Sequence, residues 1–302
     1  MLSFCYSRYL KVFAALDRPF GEARQPVGEA GAQPSQALGF EAADALASRL
    51  GNRYRGIGVC VGLLSILIIL CAVAPPALEL AGWLEVALGV VKILGMGVML
   101  VLVLYAARTG LRRRWIAARR QAEALRYQAL ADGIQRLKSR VAEPASQAEL
   151  LGEAEDLKAQ VRLHMGTGTG HCQIDYNRRK ARQYAAVERM GNRLGWLGFV
   201  LALGAAVAHL FWHASWMLLL TVFVPALIGA VHGVNGFLKL EDLAEDHHAM
   251  AARLTQLAGE LERASAKDAA RVLELAELAY QLLTDRDVQW AETANRLGLK
   301  IA

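Results

Sequence analysis

Long uncharged runs alternate with heptad-patterned polar stretches along this chain. From Leu194 to Leu238 there are 45 consecutive residues without a Lys, Arg, Asp or Glu. One bilayer crossing takes about 20 apolar residues, so this run suits two helices, about 194–212 and 216–238. Trp212-His213-Ala214-Ser215-Trp216 marks the turn, with polar and small residues between two interface-preferring indoles. An earlier pair of runs has the same form. Gly56 to Leu78 is uncharged and closes on Pro75-Pro76, giving a span at about 56–78. Leu84 to Ala107 gives a span at about 84–107, with Glu85 at its outer end and Lys92 on the same face, where the lysine either pairs or snorkels outward. The fold class these runs predict is an all-α membrane protein, its four transmembrane helices forming two hairpins. Each hairpin is followed by cytoplasmic coiled-coil-like helical arms.

The polar stretches carry helical periods of their own. Tyr127, Leu130, Ile134, Leu137 and Val141 keep 3/4 spacing up to Pro144, and Leu150, Ala154, Leu157 and Val161 resume it, predicting an antiparallel helix pair. After the last span, Leu240, Leu243, His247, Met250, Leu254, Leu257 and Leu261 alternate by three and four, which predicts a coiled-coil seam continuing the membrane helix. A helix from about Lys267 to Arg296, with Val272, Leu275, Ala279 and Leu282 on one side, folds back on that seam. Residues 1–39, rich in Pro and Gly and without a secretory signal, read as a flexible N-terminal segment. Tyr6, Tyr9, Leu10 and Phe13 share a helical face there, in an end expected to be weakly ordered. The organisation is therefore a lead of 1–39, a hairpin and arm at 40–165, and a second hairpin and arm at 166–302. Gly51-Asn52-Arg53 and Gly191-Asn192-Arg193 open the two halves, consistent with a duplication about an axis along the membrane normal.

Charge orients the spans. Arg108, Arg112, Arg113, Arg114, Arg119 and Arg120 crowd the exit of the second span, and Arg178, Arg179, Lys180, Arg182, Arg189 and Arg193 precede the third. The short connection between spans one and two holds Glu79 and Glu85 instead, so both hairpin turns face out and both termini are cytoplasmic. The net charge of +6 thus belongs to the membrane boundary and implies membrane lipid as partner, not nucleic acid. With 302 residues, 55% of them hydrophobic, the chain leaves no room for a large separate enzyme. Cys5, Cys60, Cys71 and Cys172 form no CxxC pair, and no disulfide framework, metal site or cofactor is signalled.

Candidate chemistry is sparse. Gly166-Thr167-Gly168-Thr169-Gly170 lacks the flanking strand and the Gly-Lys-Ser/Thr of a phosphate loop and reads as a linker. Glu241, Asp242, Glu245, Asp246, His247 and His248 form an acidic turn that reads as a solvated helix face. His209 and His213 pair at the outer surface. Lys92, His232 and Asn235 are the intramembrane polar candidates: buried polar groups in lipid need partners, and a transport pathway would require all three to face one cavity. Gly229-xxx-Gly233 and Gly236 beside them suit close helix approach. No catalytic constellation is present, which disfavours an enzyme.

Arg114-Trp115-xxx-Arg119-Arg120-xx-Glu123-xx-Arg126 sets Trp115, Arg119, Glu123 and Arg126 on one helical face, with Arg119 and Glu123 able to pair. This pattern resembles that of the bacterial SLATT family (SMODS- and SLOG-associating transmembrane effector domains), whose spans lead into a W-xxx-R-xx-AE-type cytoplasmic helix. Ala43-Asp44-Ala45-Leu46-Ala47 with Tyr54-Arg55, and the late Gln289-Trp290, are similar to other parts of the family's pattern. Four spans in place of two, and the lack of a fused sensor domain, depart from it. The resemblance implies an oligomeric, pore-forming effector of bacterial conflict or antiviral defence in the inner membrane. A cytoplasmic sensor or nucleotide-signalling partner would fire it, with Trp115, Arg119, Glu123 and Arg126 as the signal-transmitting helix. A regulated ion channel or transporter, and a non-conducting scaffold, are the rivals.

Overall fold

The computed structural model of the chain describes residues 2–16, 34–143, 146–166 and 172–296. Every regular element among them is helical: α1 (Leu2–Leu16), α2 (Pro34–Ala77), α3 (Trp83–Arg108), α4 (Leu111–Ala142), α5 (Gln147–Met165), α6 (Gln173–His209), α7 (Val224–Leu238), α8 (Leu240–Arg263) and α9 (Ala269–Arg296). Four helical stretches are long and apolar enough to cross a membrane: Gly39–Ala77, Trp83–Arg108, Gln173–His209 and Leu219–Leu238.

Two of these helices reach far beyond their apolar parts. At 1.5 Å per residue the 44 residues of α2 run about 66 Å, twice a hydrocarbon core, so one rigid rod joins the polar stretch at Asp44 to the apolar run. The 37 residues of α6 do the same for the third run over about 55 Å. Pro75 and Pro76 sit in the last turn of α2, and the chain then reverses through Glu79 at φ 55°. A π-helical turn, Leu219–Phe223, precedes α7. Pro225 brings no N–H to that turn, and Val224 N–H bonds instead to the Leu219 carbonyl, five residues back. The two short connections lie side by side, since Ser215 Oγ–H donates to Glu79 Oε1 at 2.5 Å.

Packing departs from two separate arms. One apolar core unites Leu130 and Leu137 of α4, Leu157 and Val161 of α5, Leu254, Leu257 and Leu261 of α8, and Val272, Leu275 and Ala279 of α9. Helix α9 lies mainly on α4 and α5, and α8 mainly along the charged half of α6, so the expected fold-back of α9 onto α8 gives way to a shared bundle. Ala276 and Leu283 are buried on α9, while Leu282 is half-buried. Four leucines (Leu130, Leu137, Leu157 and Leu254), at 0–1% exposure, each contribute about 1.5–3 kcal/mol, which explains why the bundle prefers interdigitation to paired arms. Charged links support it. Lys158, itself buried, donates to the Ala264 carbonyl (2.6 Å) just past the end of α8, where a cation also suits the helix dipole, and Arg162 grips Glu262 through two 2.6 Å hydrogen bonds. Ser146 and Glu149 form a capping box at the start of α5.

Three further expectations change. The seam helix does not continue span four: Lys239 at φ 50° breaks α7 from α8, its N–H bonding back to Asn235 and Gly236 carbonyls. Residues 2–16, expected within a flexible lead, form α1, which packs against α2 and α6 with Tyr6, Tyr9 and Leu10 buried. Close helix approach uses different glycines. A Cβ on Gly62 would stand 2.2 Å from Val234, and one on Gly58 2.0 Å from the Phe237 ring, whereas Gly229, Gly233 and Gly236 have nothing within 4 Å. The rods α2 and α6 thus supply the smooth faces, and α7 supplies the knobs. Pro144, the 167–171 part of the glycine-threonine linker, His171 and the side chain of Trp290 lie outside the described residues.

Candidate functional site in the α2–α4 junction

Phe40, Asp44, Ala47, Gly51, Tyr54 and Gly58 recur on α2 at alternating four and three, one continuous stripe. Helix α4 lies on that stripe because its own Leu111, Trp115, Ala118 and Ala122 are apolar and buried at matching spacing. Trp115 needs a flat seat, and Gly51 provides it: a Cβ there would stand 2.5 Å from the indole Nε1. Tyr54 packs against the same indole at 5.9 Å between centroids, and the Arg55 guanidinium stacks on it at 4.7 Å.

One turn and a half further along α4 the contact turns ionic. Glu123 is 3% exposed, and a carboxylate so placed stays ionised only if charges and donors surround it. Arg119 and Arg126 flank it on its own helix: Arg119 Nη2 is in direct contact with Glu123 Oε1, and Arg126 Nη1 lies 3.2 Å from Oε2. Asp44 of α2 closes the circuit, 3.0 Å from Arg119 and 3.6 Å from Arg126. Two acids and two bases therefore alternate in a neutral ring whose links cross from α2 to α4. Phe40 lies against the Arg126 guanidinium at 4.8 Å. Burial works against the Arg126 charge, but Glu123, Tyr127 and Asp44 outweigh it and its pKa is raised. His164, at the end of α5, meets Tyr127 edge-on at 5.8 Å; burial, and then Arg126, lower its pKa.

The four residues Trp115, Arg119, Glu123 and Arg126 are thus brought together, and the pairing of Arg119 with Glu123 is present. Sequence reasoning missed that Asp44 completes their ring. The signal was there, since Asp44 is the one charge on an otherwise apolar and aromatic stripe. His164 carried no comparable signal.

The intramembrane candidates do not converge. Lys92 falls in register with Gly95, Met99, Leu102 and Ala106, the side of α3 that meets α2; Gly95 faces Ile68, and Ser65 reaches Met99. Helix α3 touches only α2 and α4, and no ion pair joins Lys92 to Glu85 among the described residues. His232 packs over Gly195 and Asn235 over Gly191, both on α6. Asn235, 2% exposed, accepts a 2.6 Å hydrogen bond from the Tyr9 hydroxyl of α1, while its Nδ2 has no partner among the described residues. Without Tyr9 its side-chain oxygen would be orphaned too, so this hydrogen bond adds to the apolar packing of Tyr6, Tyr9 and Leu10 that holds α1 in place.

The seam residues are consumed within the chain. Leu240 and Leu243 join Tyr6, Tyr9, Tyr184 and Val187 in one cluster, and Met250, Leu254, Leu257 and Leu261 enter the bundle core. His247, half-buried, lies between Tyr176 and Tyr184, and its Nδ1 is 2.6 Å from Asn177 Oδ1, which it reaches as an N–H donor. No group of three or more His, Cys, Asp or Glu able to hold a metal occurs among the described residues, the acidic turn at 241–248 included. Comparison with family models, curated proteins and solved structures gave no match.

Proposed function

We propose that this protein is a multi-pass inner-membrane protein with both termini cytoplasmic, working as a homo-oligomeric, non-enzymatic effector of bacterial conflict. In this reading the helical bundle receives a signal from a cytoplasmic sensor or nucleotide-signalling partner and the spans then perturb the membrane by forming a pore. The observation that carries the reading is the neutral ring of Asp44, Arg119, Glu123 and Arg126. It joins the two segments whose patterns resemble the SLATT family, at the place where a bundle movement would enter the first span.

The surfaces support a membrane setting. Trp83, Phe211, Trp212 and Trp216 are exposed at the end that holds the short connections, and Trp196 is exposed at the opposite end of its apolar run, as aromatic belts require. Val86, Val90, Ile93, Leu94, Leu197 and Val200 are exposed between them, surface for lipid or for further copies. A single-chain transport pathway draws little support, because Lys92 stands apart from His232 and Asn235.

The test is depolarisation. Expression or triggering should collapse the potential reported by a voltage-sensitive dye, and Trp115→Ala should blunt toxicity at matched membrane abundance. Asp44→Asn, at the more exposed edge of the ring, should leave the fold intact and blunt toxicity as well, separating signalling from folding. Full toxicity with an intact potential eliminates the pore and favours the scaffold. Reporter fusions at Glu79 and Ser215 should read as periplasmic and at Glu143 as cytoplasmic.

A further inference from the structure

Arg55 is the last charged residue before the uncharged run of 56–78. Its surroundings are aromatic: the guanidinium stacks on Trp115 at 4.7 Å, lies 5.0 Å from the Tyr6 ring, and donates from Nη1 to the Tyr6 hydroxyl at 3.1 Å. Tyr184 lies beside both. No carboxylate pairs with Arg55 among the described residues. Asp44 and Glu123, the acids of the ring, are paired with Arg119 and Arg126.

A guanidinium has five N–H donors, and among the described residues one of those on Arg55 donates to a protein acceptor. Two ring faces contribute cation–π attraction, which is weaker than the hydration that a partly buried charge loses in leaving water. Arg55 as a whole residue is half-buried. A second cation stands close by in the same condition. Lys180 lies 5.5 Å over the Tyr184 ring and donates to the Gln183 side-chain oxygen at 3.1 Å, again with no carboxylate paired to it among the described residues. Helices α2 and α6 do not touch here; α1 fills the gap between them, with Tyr6 spanning from Arg55 toward Tyr184.

We infer that Arg55, assisted by Lys180 and the Tyr6 hydroxyl, binds a phosphate oxyanion at the edge of the junction where α1 bridges α2 and α6. A tetrahedral oxyanion accepts the free fork of the guanidinium and the ammonium together and supplies the missing negative charge. The phosphate comes either from a phospholipid headgroup, which the spanning reading puts at this level, or from free phosphate in solution.

Full-length protein in neutral detergent separates these sources. Phosphatidylglycerol is titrated against diacylglycerol of the same acyl chains, with adducts counted by native mass spectrometry; sodium phosphate is compared with sodium chloride at equal ionic strength by thermal shift. A preference for phosphatidylglycerol that falls about tenfold in Arg55→Gln supports the lipid source. A phosphate-specific shift lost in Arg55→Gln supports the soluble one. Should Arg55→Gln fail to fold, Lys180→Gln is measured instead and should weaken the same preference severalfold. Wild type that binds phosphatidylglycerol no better than diacylglycerol, and phosphate no better than chloride, overturns the inference, as does a variant with undiminished preference.

Discussion

Glu123→Ala is the most informative single change in the ring. It removes the carboxylate that two guanidiniums share on its own helix, leaving Asp44 alone to face Arg119 and Arg126. Breaking a fully buried pair costs about 3–5 kcal/mol, because the surviving charge stays desolvated. Arg119 and Arg126 keep 21% and 22% of their side-chain surface in water, so part of that penalty is relieved by hydration. The expected loss is about 2–4 kcal/mol. Asp44→Asn should lose less than about 1 kcal/mol, since Asp44 is 34% exposed and its arginines keep Glu123. The assay is reversible unfolding in mixed micelles over a denaturing-detergent series, with Arg119→Ala and the double variant completing a cycle. Coupling above about 1 kcal/mol is expected between Glu123 and Arg119. A Glu123→Ala loss below about 0.5 kcal/mol would refute the reasoning, since the ring would then be solvated like an ordinary surface pair.

Three other perturbations probe the bundle and the spans. Leu254→Asp puts a charge among apolar side chains at a position with 0% exposure, so the bundle should lose several kcal/mol and become protease-sensitive; unchanged proteolysis would mean the seam is wet. Gly62→Ala drives a methyl into Val234 and should cost about 1–3 kcal/mol, whereas Gly233→Ala meets nothing within 4 Å and should be neutral or stabilising; equal effects by unfolding midpoint would contradict the packing of α7 on α2. His164 titrates below its usual 6.5 when folded, so the unfolded chain takes up the proton first. Stability should therefore hold above about pH 6.5 and fall below it, by at most about 1.4 kcal/mol per pH unit, continuing down to the folded-state pKa. His164→Phe should flatten the unfolding midpoint between pH 5 and 7, and identical pH profiles would exclude His164 as the source.

The spans were legible because their signal is additive and local: a run of apolar residues is apolar whatever it packs against, and the edges at 78, 84 and 107 fall within one residue of helix ends, while 56 lies inside the continuous rod α2. Which face of a span meets protein is a different matter. Gly58-xxx-Gly62 and Gly191-xxx-Gly195 have the same spacing as Gly229-xxx-Gly233, and only the fold decides that the first two are buried against α7. The break at Lys239 was hidden for a related reason. The seam begins at Leu240, directly after the break, and a left-handed lysine costs only about 1 kcal/mol, which tertiary packing outweighs without leaving a mark in the pattern. Helix α1 was discounted because its apolar face heads a Pro- and Gly-rich lead, yet its Tyr9 satisfies a buried amide 226 positions away in sequence. In the candidate site, the face of α4 was readable from i,i+4 spacing, and Asp44 was not linked to it because nothing in one helix announces its neighbour.

The mechanical connections on the two sides of the junction differ, and this bears on what the ring can transmit. Helix α2 is one unbroken rod from Asp44 to Ala77, so rotation at the ring is carried to the far end of the first apolar run without loss. Helix α4 reaches α3 through Thr109-Gly110, and Gly110 at φ 57° is a turn that absorbs small changes in angle. A shift of α4 relative to α2 therefore moves the first span as a lever while the second follows through a hinge. To shift at all, α4 must leave the contacts of Arg119 and Arg126 with Asp44 and lift Trp115 from Gly51. That set makes or breaks together and so favours two discrete positions over a continuum. Helix α8 is cut from α7 by Lys239, and the spans α6 and α7 are tied to α2 instead by the knobs of α7 in its glycines and by α1. Movement that starts at the ring consequently acts first on α2 and α3, and reaches α6 and α7 only by prising α2 from Val234 and Phe237 or α1 from Asn235.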